Sequence, residues 1–301
     1  MEGTNRVVAL FQRDVDFFLN LTTDHNRTLA WLRDQRLLPT QRVCCGQNCI
    51  QGVNNRSIDG LMFRCTQCRA KYSIREGTRW GKFRRIPLIV LTRLIFYYFP
   101  NQFSARRAHT ALRGVHIDIS YATVKRIFNN VRASISRFML EEVYQTPLRG
   151  RIQMDEALFS HRAGGGRRGL RQVWVIGLVE ERTSEAFCFV VPNRNSGTIN
   201  NLITNYVLAG SLIIHDGWGG YQRIPRAYRH HRYLHDRDDI NNTARIEGVW
   251  GELRAFIRNI YSAGVVEGNM TTVIQEINFR RRCRTRNVSF TQELTDILEN
   301  Y

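Results

Sequence analysis

The hydrophobic period changes near residue 150, and this change constrains the fold more than any other feature of the chain. From residue 84 to 146 apolar residues recur at helical spacing. Beyond it, RIQMDEALF, QVWVIGLVEE and AFCFVVPN follow one another as three strand-like segments, the first two separated by the turn-rich RAGGGRRG. A helix over about 198–208, a buried strand at SLIIHD, a further strand at HHRYLH and a long helix from near Asn242 through RIEGVWGELRAFIRNI complete this half. Three strands followed by alternating helices and strands make an α/β layout.

The preceding half divides into three parts. Residues 1–41 form a helical N-terminal segment. Val8, Leu10, Phe11, Val15, Phe17, Phe18 and Leu19 give an apolar band, and Thr23 or Asp24 caps a second helix holding Leu29, Trp31 and Leu32. Residues 42–80 are rich in Cys, Gly and Asn and read as short strands and turns around a metal. Residues 81–148 are helical. One helix ends near Gly114, and Ser120 opens a second with Val124, Ile127, Phe128, Val131 and Ile135 on one face. Helix, short connection and basic helix is the outline of a helix-turn-helix. Residues 149–301 are the α/β domain.

The charge balance points to a polyanionic partner. Lys and Arg number 44 against 26 Asp and Glu, a formal net charge of +18. Such a field suits nucleic acid or an anionic membrane surface, and the arginine fork suits phosphate and base edges. A basic chain that is merely soluble is the plainer alternative. The longest apolar stretch, residues 86–100, is interrupted by Pro87, Thr92 and Arg93 and reads as a buried helix, not a membrane span. The opening MEGTNRVVALFQRDVDFF lacks the order of a secretion signal. An intracellular protein is expected, in which seven cysteines point to metal or free thiols before disulfides.

Cys65 and Cys68 form a C-x-x-C within FRCTQCRAKY, and Cys44, Cys45 and Cys49 lie upstream. Two thiolate pairs on two turns close a tetrahedral Zn²⁺ site, and such a site stabilises a small domain with little core. The expected ligands are Cys49, Cys65 and Cys68 with one of Cys44 and Cys45, Cys45 being preferred. Cys188 and Cys283 read as ordinary thiols.

Three carboxylates stand out by context. Asp155 lies in the first strand of the α/β half, Asp216 ends the SLIIH strand, and Glu247 sits early in the long helix. Strand ends and adjoining helix starts converge on one edge of an α/β sheet. Carboxylates gathered there can hold Mg²⁺ or Mn²⁺ for chemistry at a phosphodiester. Glu156 is adjacent to Asp155, but neighbours on a strand face opposite ways. Ile152, Met154 and Glu156 share one face, so Asp155 is preferred if that apolar face is buried. Arg254 follows Glu247 by two helical turns, with Trp250 between them, and both are candidate DNA contacts. Singly, each acid also reads as a solvated charge or, for Asp216, a turn cap.

FRCTQCRAKYSIREGT, QMDEALF, IIHDGWGGY and NNTARIEGVWGELR stand in an order that resembles the transposases of Merlin elements and their bacterial insertion-sequence relatives. The resemblance implies a DDE transposase with a ribonuclease-H-like catalytic domain, preceded by a zinc ribbon and a helix-turn-helix-like region. It implies Asp155, Asp216 and Glu247 as metal-binding acids and Arg254 as the basic residue after the third. Related branches carry Asn as the last acid, for which Asn242 is the nearby alternative. The chain departs from the family's ribbon in its first cysteine pair.

The resulting expectation is cleavage at transposon ends, then attack of the freed 3′-hydroxyl on target DNA. The partners would be double-stranded terminal repeats and target DNA, bound by a homodimer or larger assembly. The location would be nuclear in a eukaryotic host and otherwise the cytoplasm or nucleoid. Arg106, Arg107, Lys125, Arg126 and Arg132 are the candidate contacts of the helix-turn-helix, mostly to phosphate; a solvated helix face is their alternative. The stretch from Arg162 to Arg171 reads equally as a phosphate-gripping loop and as a plain hairpin loop. The run from Arg280 to Arg286 reads as the charged face of a helix before a nuclear-import signal. Two rival functions are a transposase-derived DNA-binding protein without catalysis and a structure-specific nuclease on the same fold.

Overall fold

The computed structural model describes residues 16–162, 170–233, 242–261, 266–267 and 269–300. The apolar residues of 1–15 and most of the Gly/Arg stretch lie outside these. Contacts divide the chain into two compact units: residues up to Val131 together with those from Ser289 onward, and Arg132–Val288.

The described part of the first unit opens with helical residues 16–21, followed by α1 (His25–Asp34). Asp24 caps it, accepting from the Arg27 N–H at 2.8 Å, as its position predicts. Two small antiparallel sheets follow. β1 (Val43–Cys44) pairs with β2 (Gln47–Asn48), and β3 (Ile50–Val53), β4 (Leu61–Arg64) and β5 (Lys71–Ser73) form a small sheet. These strands bury little, since Val43, Ile50 and Val53 are all exposed. A buried ion pair joins Asp59, between β3 and β4, to Arg75 just past β5, and Asp59 also accepts from the Leu88 N–H. Pro87 precedes α2 (Leu88–Arg93), which continues as a π-helical turn over Leu94–Tyr98. α3 (Ala105–Gly114) is capped by Ser104, and α4 (Tyr121–Glu141) starts after Ser120, which accepts from the Thr123 N–H. Val124, Ile127, Phe128, Val131 and Ile135 are all buried, as their spacing predicts. The last helix, α8 (Phe290–Asn300), also belongs to this unit. Among the described residues no helix is long and apolar enough to cross a membrane.

The second unit is built on one sheet in the order β10-β9-β6-β7-β8. β6 (Arg151–Arg162), β7 (Leu170–Glu180) and β8 (Ala186–Val191) run antiparallel in succession. α5 (Ser196–Tyr206) leads back to β9 (Leu212–His215), which pairs parallel with β6, and β10 (Arg229–Arg232) pairs parallel with β9. Counted from β6, this is strand order 3-2-1-4-5 in a mixed sheet, which fits a ribonuclease-H-like fold. α6 (Ala244–Ile260) and α7 (Met270–Arg286) cover one face through Ile246, Val249, Trp250, Leu253 and Ile274, packed on Ala157, Phe159, Val175 and Cys188. The short β11 (Val266–Glu267) extends the pairing of β6. The opposite face holds Ile152, Met154, Ile176, Leu178 and Phe187, all buried. Both faces of β6 are therefore covered, so this strand lacks the alternation of a half-buried one.

Candidate active site and cysteine cluster

Asp155 sits in the middle of β6, on the face covered by α6. Its Oδ2 accepts from the indole Nε1 of Trp250 at 2.8 Å. Trp250 is only 3% exposed, which corrects its reading as a DNA contact: its ring is packed in the core and its polar edge holds the first acid. Gly177 makes this possible. It lies opposite Asp155 in the register of β6 and β7, and a Cβ there would meet Trp250 Cη2 and Ile246 Cδ1 at 2.6 Å. The indole occupies the space that any other residue would fill.

Glu156 faces the other way. It accepts from the Tyr221 hydroxyl at 2.7 Å and pairs with Arg194 at 3.0 Å. Ile152 and Met154 on that face are fully buried, but the face of Asp155 is covered as well, so burial does not choose between the two acids; Glu156 is paired within the fold.

Asp216 follows the end of β9. It is exposed, and its Oδ1 accepts from the Trp218 N–H at 2.9 Å. The preceding His215 is buried, stacks on Tyr221 at 4.4 Å between ring centroids, and is held down to about 4 by burial. Glu247 is exposed in the first turn of α6 and accepts from Thr243 Oγ1 at 2.9 Å. Burial pushes the Asp155 carboxyl above its ordinary value, and the carboxylates of Asp216 and Glu247 push it the same way. Asp155 on β6 is thus influenced by Asp216 just past β9 and Glu247 on α6, but the carboxylate oxygens of the three do not all lie within 4.8 Å of one another. Asn242, the alternative to Glu247, accepts from the Ala244 N–H at 3.1 Å at the start of the helix.

The start of α6 is also held from the sheet. Gln153 Oε1 accepts from the N–H groups of Arg245 at 2.8 Å and Ile246 at 3.1 Å, while its Nε2 donates to Glu181 at 2.9 Å. A strand residue two positions before Asp155 therefore caps the helix that carries Glu247.

The cysteine cluster differs from the expected set. The sulfurs of Cys44, Cys45, Cys65 and Cys68 lie within 4.8 Å of one another, and Cys49 is not among them. Cys44 takes the place assigned to Cys49. The cause is a two-residue hairpin loop: Cys45 and Gly46 both have positive φ, 52° and 76°, between the paired residues Cys44 and Gln47. This turn brings adjacent cysteines to one point. Cys49 lies past β2, buried, with its N–H donating to Arg42 O at 2.7 Å. Cys44 Sγ is 3.6 Å from Cys68 and 3.7 Å from Cys45. Tetrahedral Zn–S bonds of about 2.3 Å require sulfurs about 3.8 Å apart, so the cluster is compatible with zinc. The Cys68 N–H, at 3.5 Å, helps hold the Cys65 thiol down at about 6. The Tyr72 hydroxyl contacts Cys44 Sγ at 3.1 Å, with Arg42 over the Tyr72 ring.

The candidate DNA-binding cations divide. Arg106, Arg107 and Arg126 are exposed, lying over the rings of Tyr121, Phe103 and Phe83, and Lys125 is half-buried. Arg132 is 5% exposed and pairs with Glu276 at 2.6 Å, which removes it from the surface set. The helix turns it inward, one residue after the buried Val131. Arg254 is exposed, with its guanidinium over Phe159.

Residues 141–282 match the family model of the ISXO2-like transposase domain. The match supports a DDE transposase of the bacterial insertion-sequence type. It takes in all three acids, Trp250, Gln153 and Gly177. DDE transposases generally use divalent metals and act on DNA. No curated protein matches the chain.

The sequence reading missed Gln153, Gly177, Arg194 and Tyr221. Gly177 carried a usable signal, because a glycine inside a strand marks a close approach. The other three are legible only once β6 is paired and the Asp216 loop is placed.

Proposed function

We propose that this chain is a DNA transposase that cleaves at transposon ends and transfers the freed strand into target DNA, with Asp155, Asp216 and Glu247 as its catalytic acids. The supporting observation is that residues 141–282, which match a transposase domain, carry all three acids, on β6, just past β9 and in the first turn of α6. The four family-like stretches favour the Merlin side of this group.

The donor set fits Mg²⁺ or Mn²⁺. All three groups offer hard oxygen; burial chiefly lifts the Asp155 carboxyl, and a divalent cation would offset the smaller push from Asp216 and Glu247. Bound there, two such cations would activate a water or a sugar hydroxyl and stabilise the leaving oxygen. The chain's own residues do the positioning: Trp250 orients Asp155, the Trp218 N–H orients Asp216, and Gln153 sets the start of the Glu247 helix. Arg254 is placed to hold a phosphate of the bound strand. Arg106, Arg107, Lys125 and Arg126 are the proposed contacts of the helix-turn-helix, and Cys44, Cys45, Cys65 and Cys68 the proposed zinc ligands. A recess of about 720 Å³ lined by Arg149, Gly150, Arg151, Glu181, Arg182 and Arg245 adds an anion-attracting surface. Pairing of two DNA ends calls for a dimer or larger assembly.

The test is strand cleavage with Mg²⁺ or Mn²⁺ on DNA carrying the element's ends, comparing wild type with Asp216→Asn. Wild-type cleavage, with a loss of at least about 10²-fold in the variant and unchanged binding, is expected. DNA binding by the wild type without cleavage would replace this reading with the non-catalytic DNA-binding protein. Cutting of branched DNA without joining would replace it with the nuclease.

A further inference from the structure

We propose that Trp218 is a nucleobase-stacking platform beside Asp216, taking a base that has left its duplex next to the phosphate at the acids. This rests on the transposase reading and adds a binding site to it.

Three observations carry the proposal. First, Trp218 is 42% exposed, whereas Trp80 and Trp250 are buried. It stands two residues from Asp216, and its backbone N–H holds that carboxylate at 2.9 Å. Second, the ring is fixed from behind. The Arg194 guanidinium lies over Trp218 at 3.8 Å and over Trp174 at 4.2 Å, and Glu156 anchors it at 3.0 Å. Third, the loop has little freedom. Gly217 has φ +86°, and a Cβ on it would lie 2.2 Å from Arg232 Nε. A Cβ on Gly220 would lie 2.7 Å from Ile199 Cδ1 and 3.0 Å from Arg194 O.

An exposed indole held rigid by a buttressing cation loses little entropy on stacking. Every base offers a π-face, so stacking tolerates sequence, and the cation beneath suits a ligand that brings phosphates. An apolar peptide fits less well, because the loop around the ring carries the exposed Arg223 and Arg232. Removing a base from its stack beside the reacting phosphate would open that phosphate to the acids.

The experiment uses the full chain with Ca²⁺, an oligothymidylate of about ten nucleotides and a blunt duplex of the same length. Binding is read by anisotropy, with the salt slope measured for each protein. Trp218→Ala should bind the single strand about tenfold more weakly with an unchanged salt slope. Trp218→Phe should retain most of the affinity, and duplex binding should change less. Melting temperatures close to wild type for both variants complete the expected result. Single-strand binding by Trp218→Ala at wild-type affinity would overturn the platform while leaving the transposase reading intact. So would equal losses on single strand and duplex, or a loss that tracks a lowered melting temperature. A wild type that binds neither DNA would overturn the transposase reading itself.

Discussion

The cysteine cluster and the three candidate acids differ in how closely they are gathered: the four sulfurs lie within 4.8 Å of one another, and the carboxylates do not. The cysteines sit on hairpins of two to four residues whose apolar side chains Val43, Ile50 and Val53 face outward, so little core lies beneath them. Asp155 sits in a sheet covered on both faces, Asp216 just past β9 and Glu247 in the first turn of α6; the buried Trp250 holds the first and the buried Thr243 the third, while the second meets the N–H of the exposed Trp218. The difference teaches where stability and chemistry are coupled. On the proposed zinc reading the ribbon would be held by its metal, whereas the sheet has a packed core of its own and would not need one to fold.

The sharpest way to break this comparison is chelation. EDTA should abolish amide-exchange protection in residues 43–73 and leave β6, β7 and β8 protected, because zinc contributes roughly 10 kcal/mol or more to such a ribbon. Equal loss in both regions, or none in the ribbon, would end the contrast. Within the ribbon, Cys44→Ser should release most of the bound zinc while Cys49→Ser retains it, as measured by metal content after dialysis.

A smaller effect tests the second unit. Arg132→Ala leaves Glu276 buried with Arg280 alone, and should lower stability by about 3 kcal/mol in denaturant melts. A change below about 0.5 kcal/mol would return Arg132 to the surface candidates. The smallest expected effect is the most specific. Trp250→Phe keeps an aromatic ring beside Gly177 but loses the bond to Asp155. Cleavage should fall about tenfold, and the Mn²⁺ concentration for half-maximal rate should rise, with little change in melting temperature. Unaltered Mn²⁺ dependence would show that Trp250 is packing alone.

The same comparison explains what was legible in the sequence. The strands, the helix carrying Glu247 and the inward face of α4 follow from periodicity, because burial writes itself into residue type at fixed spacing. Asp155, Asp216 and Glu247 stood out in the sequence by lying within a strand, after a strand and early in a helix, inside the family-like stretches. The cysteine set was misread because spacing assumes ordinary turns, and the left-handed backbone at Cys45 lets two adjacent residues serve one centre. Trp250 and Arg132 were misplaced for another reason. An amphipathic side chain of either kind can face solvent or core, and only the packed partners, Asp155 and Glu276, decide which.

The cap on α6 has a consequence for how the protein can vary. Gln153 reaches from β6 to the first amides of that helix, so the beginning of the helix is referenced to the strand bearing Asp155 and not to the chain leading into it. On the proposed function, a change of sequence ahead of α6 would leave Glu247 in register with Asp155, because the reference point of the helix is the strand.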